Sequence, residues 1–537
     1  MRNTVHNVGR VGIVRDTKPH LLGSEFWTNG RNVRFEPNRV FGMKGVQSFA
    51  TKTGVLNCGL IASPLNEAVV YSDGTQVYAN DGAVEYNISR TSGGNYAEDL
   101  DNLFDIISYN GYALFNNGID LPQTWDPTSY LNKMTALVNW DSNWVAGVLR
   151  PFKSLLIALD LTESAVRYPQ KLRWSHPAEP GALPTSWDES NPAYDAGEFN
   201  FADTTKGFLV NGLEMGEYFY VYKEGAIWEL SYVQGTAIIS RRLLVDDIGL
   251  RVKRSLINLP YFMGANRKVQ FFAGESSFYL MDGVTVIPVW EEVFKNEILT
   301  LADSNYYYSR SFSVIQPKYN EVWFCFPESG ATTATLAFCL NYQNKTSTIR
   351  ELSGAGSIVS GIGFSLSETA QIDVTFSDET TFSDNTGFYS TEIRPPENVV
   401  LEASPVENEL FYLDTGSLSY DGVTAWSSYV MREALPTVKN DSRNEKPDIV
   451  DYNVRKLIDR IAPKLSDGSV QFSIGTQELE NDVISWQPSE LLSTTNYEHF
   501  LGQPISGRFI SFRFDSVPNQ AFDLGGFDYE VELLGRY

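Results

Sequence analysis

The chain has 537 residues, 42% hydrophobic and 13% aromatic, which provides for a large core and excludes a globally disordered polypeptide. Its formal charge of −24 argues against a protein that grips nucleic acid by neutralising phosphates, since that task needs basic patches. Three scattered cysteines, Cys58, Cys325 and Cys339, make neither a disulfide framework nor a zinc-ligand spacing.

The first residues, "MRNTVHNVGRVGIVRD", carry no apolar core of signal-peptide length. No stretch of about 18 apolar residues follows, so no membrane span is expected. Residues 1–54 are expected to form a segment that packs on, or closes, the domain after it. From there the chain repeats one design: a short apolar strand, a turn or longer connection, and a second apolar strand. "EAVVYSDGTQVYAND" turns at Asp73-Gly74, "GYALFNNGIDLPQTWDP" at Asn117-Gly118, and "EYFYVYKEGAIWELSYVQGT" at Lys223-Glu224-Gly225. "FKSLLIALDLTESAVRYPQKLRWSHP", "RKVQFFAGESSFYLMDG" and "NEVWFCFPESGATTATLAFCLNYQ" complete the set.

With Val70, Leu114, Leu156, Phe219, Phe271 and Trp323 as markers, the copies are separated by 44, 42, 63, 52 and 52 residues. A loose period of roughly 40–60 residues with several strands per copy predicts a radial β architecture. Small sheets bury their apolar faces by stacking around an axis, which leaves only short edges. The long interval holds "AEPGALPTSWDESNPAYDAGEF", read as a surface insertion. The expected fold is therefore all-β: a six-bladed β-propeller over residues 55–360 with an additional C-terminal domain. Tandem sandwiches or an irregular β domain are the alternative.

Two stretches suggest short helices, "VWEEVFKNEIL" near residue 289 and "NVRKLIDRIAPKL" near residue 453. Residues 361–399 read as a connecting β segment with a doubled Thr-Phe-Ser-Asp at 375–378 and 381–384. Alternation in "RFISFRF" (508–514) and "FDYEVEL" (527–533) predicts half-buried antiparallel strands. Residues 400–537 are expected to form a β-sandwich-like domain.

The search for chemistry yields little. His6, His20, His176 and His499 stand at no metal-ligand spacing. The Asp-containing turns at 71–79 and 382–389 lack the full Ser-x-Asp-x-Gly-x-Thr-Trp order of sialidases and read as hairpin turns. Asp373, Asp378 and Asp384 do not have EF-hand spacing. No nucleophile elbow, phosphate loop or dinucleotide fingerprint occurs. No catalytic, cofactor-binding or metal residue is assigned, no cofactor is called for, and the chain is not expected to be an enzyme.

Several stretches, in order, carry a resemblance. "FWTNGRNVRFEPNRVFGMKGVQSF" (26–49) places Gly30, Asn32, Val33, Arg34 and Phe35 before Gly42 and Gly45. "LPTSWD", Ala196-Gly197-Glu198-Phe199, "YVYKEGAIWEL", "DIGLRVKRSL" and "FFAGESSFYLMDG" follow, then "FSIGTQE", Trp486, the 507–514 strand and "GGFDYEVELLGRY". In this order the chain resembles the tail nozzle, or tail tubular protein B-like, family of short-tailed bacteriophages. The resemblance implies a structural virion protein of the phage tail, made in the host cytoplasm. It implies a homohexameric ring below the head-to-tail adaptor protein, passing genome DNA without sequence-specific binding and anchoring tail fibres or spikes. No large extra domain for a long distal tube is evident. Negative charge on a channel wall would let a duplex slide. The acidic candidates for that wall are Asp188, Glu189, Asp195, Glu198 and Glu224. The alternative reading is a β-propeller glycosidase or carbohydrate-binding protein, which needs two carboxylates flanking one bond.

Overall fold

Each of the six marker residues lies in the second strand of its own four-stranded antiparallel sheet. These strands are covered on both faces; in the sixth sheet all of Glu321–Phe326 is buried. That is why they read as continuous apolar runs and not as alternation. The computed structural model describes residues 2–5, 8–62, 67–202, 206–233, 238–262, 267–363, 397–435, 437–439, 449–495, 498–518 and 520–536. Among these, helix is confined to Lys295–Leu301, Tyr307–Arg310 and two single 3-10 turns, and no helix is long and apolar enough to cross a membrane.

The described residues hold seven such sheets, not six. The first strands of the first six are Asn57–Ala62, Asp105–Tyr109, Trp144–Phe152, Leu209–Met215, Ile257–Leu259 and Phe312–Gln316. The seventh is composite: Ser357–Gly363, Glu397–Ser404 and Glu409–Leu413, then Val46–Thr51 from the other end of the chain. Its repeat was hidden because residues 364–396 separate its first two strands and its last strand lies some 350 residues upstream. The doubled Thr-Phe-Ser-Asp, with Asp373, Asp378 and Asp384, lies outside the described residues, as does His6.

Every neighbouring pair of sheets shares an apolar seam, and the seams form a closed ring. Val70 packs with Phe115 and Trp125 between the first and second sheets, and Leu114 with Leu149 and Leu156 between the second and third. Phe152 meets Phe219 at 5.6 Å, Tyr222 meets Phe272 at 5.1 Å, and Phe278 meets Phe324 at 4.9 Å. Trp323 and Cys325 join Val400 and Phe411, and Leu401 and Leu410 join Cys58 and Val69, returning to the first sheet. Each large side chain so buried contributes about 1.5–3 kcal/mol. The molecule is a β-propeller closed by strand exchange between its two ends.

The second body is a sandwich of two sheets. One has the order Val33–Glu36, Arg39–Gly42, Asp523–Arg536, Val454–Asp467, His499–Gly507, with Arg2–Val5 also paired to Asp523–Arg536. The other runs Asn29–Arg31, Tyr429–Leu435, Phe509–Ser516, Ser469–Gln477, Ser485–Trp486, with Glu490–Ser493 also on Ser469–Gln477. Phe512 lies 5.0 Å from Phe527 and 5.1 Å from Tyr529 across the two faces. The expected domain limits therefore shift. Strands 397–413 belong to the propeller, and residues 2–42 supply four sandwich strands. The N-terminal segment also packs on the propeller, through Ile13 N to Ser347 O and Arg15 to Glu297, and closes it with Val46–Thr51, as expected.

Of the two expected helices, one forms: Lys295–Leu301, with Ile298 buried. The other, "NVRKLIDRIAPKL", is the long central strand Val454–Asp467. Val454, Lys456 and Ile458 are buried at period two, and pairing on both sides overrides the local helical pattern.

The two bodies are joined by the "GRNVRF" segment. Asn32 N donates to Ile349 O at 2.8 Å, and Thr348 Oγ1 to Val33 O at 2.5 Å, beside the outer strand of the sixth sheet. Beneath lies a quartet of buried charges. Arg34 forms a fork on Glu321, at 2.9 and 3.1 Å, and a second on Asp414. Arg350 Nη1 reaches Asp414 Oδ1 at 2.6 Å, and Gln316 Nε2 reaches Asp414 Oδ2 at 2.7 Å. Two cations balance two anions, which is the condition for tolerating such burial.

Candidate functional site

The acidic residues singled out in sequence fall on two different ends of the propeller. Asp188, Glu189 and Asp195 lie in the connection between Val166–Trp174 and Gly197–Asn200, the third and fourth strands of the third sheet, and Glu198 is the second residue of the fourth. Glu224 sits in the turn between the second and third strands of the fourth sheet. In an antiparallel meander those two connections lie at opposite ends of the strands, so the five do not form one wall.

Nor are all five free charges. Glu198 Oε2 accepts from Arg173 Nη2 at 2.5 Å and Lys171 Nζ at 3.0 Å. Burial alone would raise its pKa, but these two cations outweigh it and hold the carboxyl below the usual range. Glu163 shares both cations, at 3.2 Å from Lys171 and 3.4 Å from Arg173. Glu189 lies 3.7 Å from Arg173, and burial followed by the charge of Glu198 pushes its pKa up. Arg173 stacks 4.2 Å from the Trp144 ring. Asp188 closes a turn, accepting from Ser190 Oγ at 2.6 Å and Ser190 N at 2.9 Å. Asp195 is exposed; its backbone N–H donates to His176 Nδ1 and its carbonyl accepts from Trp174 Nε1. Glu224 pairs with Arg251 at 3.4 Å.

Asp73 behaves as a turn residue, accepting from Gln76 N at 2.8 Å and Thr75 N at 3.0 Å. Among the described residues no group of three or more His, Cys, Asp or Glu has the arrangement of a metal site.

A further set of charged groups lies around the propeller axis, where each sheet hands over to the next. Asp101, ahead of the second sheet, pairs with Arg310, ahead of the sixth, at 2.8 and 3.0 Å. These two segments approach from opposite sides of the ring, so the pair crosses one end of the axis. Asp105 pairs with Arg150, joining the first strands of the second and third sheets. Glu98 is buried; its Oε1 accepts from Phe104 N at 2.9 Å and Asn57 Nδ2 at 3.3 Å. Burial pushes its pKa up to about 7. Lys253 and Arg254 complete the set.

None of these axial residues was singled out in sequence as functional. Lys253 and Arg254 lie within "DIGLRVKRSL", which marked only a resemblance. Nothing in a single sequence tells which strand starts converge on an axis.

No protein-family model matches the chain, and no curated protein matches it. Among solved structures it is similar to the computationally designed Ika8 protein, at 10% identity and TM-score 0.31, over 69% of this chain and 99% of that one. It is also similar to the Neurospora crassa Pan2 WD40 domain, at 8% identity and TM-score 0.35, over 72% of this chain and 98% of that one.

Proposed function

We propose that this protein is a structural component of a phage tail, a subunit of a ring-shaped nozzle or hub below the head-to-tail adaptor through which genome DNA leaves. The reading carries a homohexamer, fibres or spikes as attached partners, and no catalytic role.

The observation that supports it is the joint. Residues 26–49, where the resemblance begins, supply strands to both sandwich sheets and the closing strand of the propeller. They also bring Arg34 into the buried quartet. One segment thus ties both bodies together by hydrogen bonds, ion pairs and strand exchange, which suits a part that bears mechanical load. The chain charge of −24 is compatible with a lumen along which phosphates slide. The Asp101–Arg310 pair across the propeller axis implies that a duplex would pass between subunits and not through a propeller.

The test is the mass of the purified chain in solution, alone and with adaptor complexes, followed by imaging of any particle formed. Sixfold rings, formed alone or templated on the adaptor, support the nozzle. A strict monomer of 60.2 kDa that turns over oligosaccharides overturns it, as does a ring with a basic inner wall.

A further inference from the structure

Lys253 and Arg254 precede the first strand of the fifth sheet, yet each reaches two sheets away. Lys253 Nζ donates to Gly147 O, on the first strand of the third sheet, at 2.8 Å. The Arg254 guanidinium points at Gly356 O, just before the first strand of the seventh, at 3.4 and 3.5 Å. Side chains that reach both ways around a ring from one spot do so through its centre. Lys253 is exposed by surface area, while the surrounding walls still desolvate its ammonium.

The other cations of this region are matched. Arg150 has Asp105, Arg310 has Asp101, and Arg167 has Asp160 at 2.7 Å. Among the described residues the Lys253 and Arg254 side chains hydrogen-bond only to carbonyls, and the one carbonyl facing Arg254 is too distant for strong hydrogen bonds. A guanidinium carries five N–H donors, so most of Arg254's donors have no acceptor among the described residues. Phe312 covers one face of the guanidinium, its ring centre 4.9 Å away. In a chain with 66 acidic and 42 basic residues, acidic partners are abundant, yet among the described residues these two adjacent cations form no ion pair, although the charge of Asp105 acts on both.

We propose that the axial channel of the propeller binds a small oxyanion, a phosphate or a carboxylate, between the Arg254 guanidinium and the Lys253 ammonium. The planar fork supplies two parallel donors and the ammonium a third, the pattern that oxyanions select. The walls lower the pKa of both cations, chiefly by desolvation, and a bound anion would offset that cost. Asp105 and Glu98 contribute acidic groups to the same region, and the Asp101–Arg310 pair spans its end. Together they restrict the site to a small ion and reject a polyanion such as DNA. The inference is independent of the virion reading.

Calorimetric titration with inorganic phosphate and, separately, with acetate tests it, with ionic strength held constant by chloride. Saturable binding of one ion per chain is expected, and the preferred ion tells phosphate from carboxylate. Lys253→Gln and Arg254→Gln should each weaken binding at least ~10-fold, the loss expected for one charge-assisted hydrogen bond. Each variant is first checked for an unfolding transition in phosphate-free buffer. Lys253 is exposed and bonded to a single carbonyl, so its replacement keeps the test open should Arg254→Gln fail to fold. No saturable binding of either ion to the unaltered protein overturns the proposal, and so does undiminished binding by a folded variant.

Discussion

Arg34 and Asp414 face each other through two parallel hydrogen bonds, Nη1 to Oδ1 at 3.0 Å and Nη2 to Oδ2 at 2.7 Å, and each side chain is only 3% exposed. Arg34 stands on a sandwich strand and Asp414 just past the third strand of the seventh sheet, so the pair couples the two bodies. Removing the anion alone leaves Arg34 and Arg350 competing for one remaining carboxylate. Asp414→Asn should therefore cost about 3–5 kcal/mol, read as a lower midpoint of denaturant unfolding. An unchanged midpoint would show that the quartet is not a structural tie.

The same pair sets an acid limit. Burial would raise the Asp414 pKa, but Arg34 and Arg350 outweigh it and hold the carboxyl well below the usual range. A depressed folded pKa gives stability that is fully present above the unfolded value, about 3.9, and lost as pH falls below it. Melting followed from pH 6 down to pH 2 should show a loss beginning near pH 4 in the unaltered protein. Asp414→Asn should lack that component.

Glu98 has the opposite sign. Its folded pKa is raised to about 7 from the ordinary glutamate value of 4.5. Between those values the unfolded chain has released this proton and the folded chain has kept it, so stability falls as pH rises. Glu98→Gln keeps an acceptor for Phe104 N and removes the titration. Its stability relative to the unaltered protein should improve by on the order of 2–3 kcal/mol between pH 4 and pH 8. Parallel urea titrations at those two pH values measure the difference; equal offsets would refute it.

Lys456 moves the balance in a higher window. Desolvation pushes its pKa down to about 7, and its ammonium is held by the carbonyls of Leu435 and Arg508 inside the sandwich. From pH 7 to about 10.5 the unfolded chain carries a proton the folded chain has lost, so stability rises with pH. Lys456→Met should flatten that rise in melts taken at pH 7 and 9.5.

The repeated strands were legible because the second strand of each sheet is sealed on both faces and hence apolar throughout. Phe219 and Trp323 mark strand and sheet alike. The seventh sheet was not legible, since no local pattern tells Val46–Thr51 that its partner is Glu409–Leu413. Lys456 shows the same limit from another side. A buried lysine amid Val454 and Ile458 disguises a period-two strand as a helix. At the candidate sites, charge could be counted but not paired, so Glu198 read as free although Lys171 and Arg173 hold it. The axial cations were invisible because their meaning lies in reaching Gly147 and Gly356, over 100 residues away in sequence.

Gly416 offers a steric test of the closure. Its backbone lies outside the left-handed region, but a Cβ there would stand 2.0 Å from Val46 O, at the start of the closing strand. Backbone cannot yield as a flexible side chain does. Gly416→Ala should cost about 1–3 kcal/mol by overpacking. Hydrogen exchange should quicken first in Val46–Thr51 and Glu409–Leu413. Uniform exchange with an unchanged midpoint would show that the closing strand has slack.

The strongest test of the strand exchange is a chain that begins at residue 52. It lacks the partner of Glu409–Leu413, leaving a strand edge whose Leu410, Phe411, Tyr412 and Leu413 are at most 2% exposed in the intact protein. It also lacks Arg34, and both sandwich sheets lose strands, among them the Val33–Glu36 and Arg39–Gly42 hairpin. Unpaired apolar edges recruit other chains, and Asp414 would be buried without its forked partner. The shortened protein should therefore aggregate or unfold without a cooperative transition, whereas co-expression with a separate 1–51 peptide should restore solubility. The rescue separates the two causes of failure. A 1–51 peptide carrying Arg34→Met would still supply the closing strand, so solubility without full stability is the expected result. A soluble 52–537 chain with an unaltered melting midpoint would mean that the propeller closes on the seams between its sheets alone.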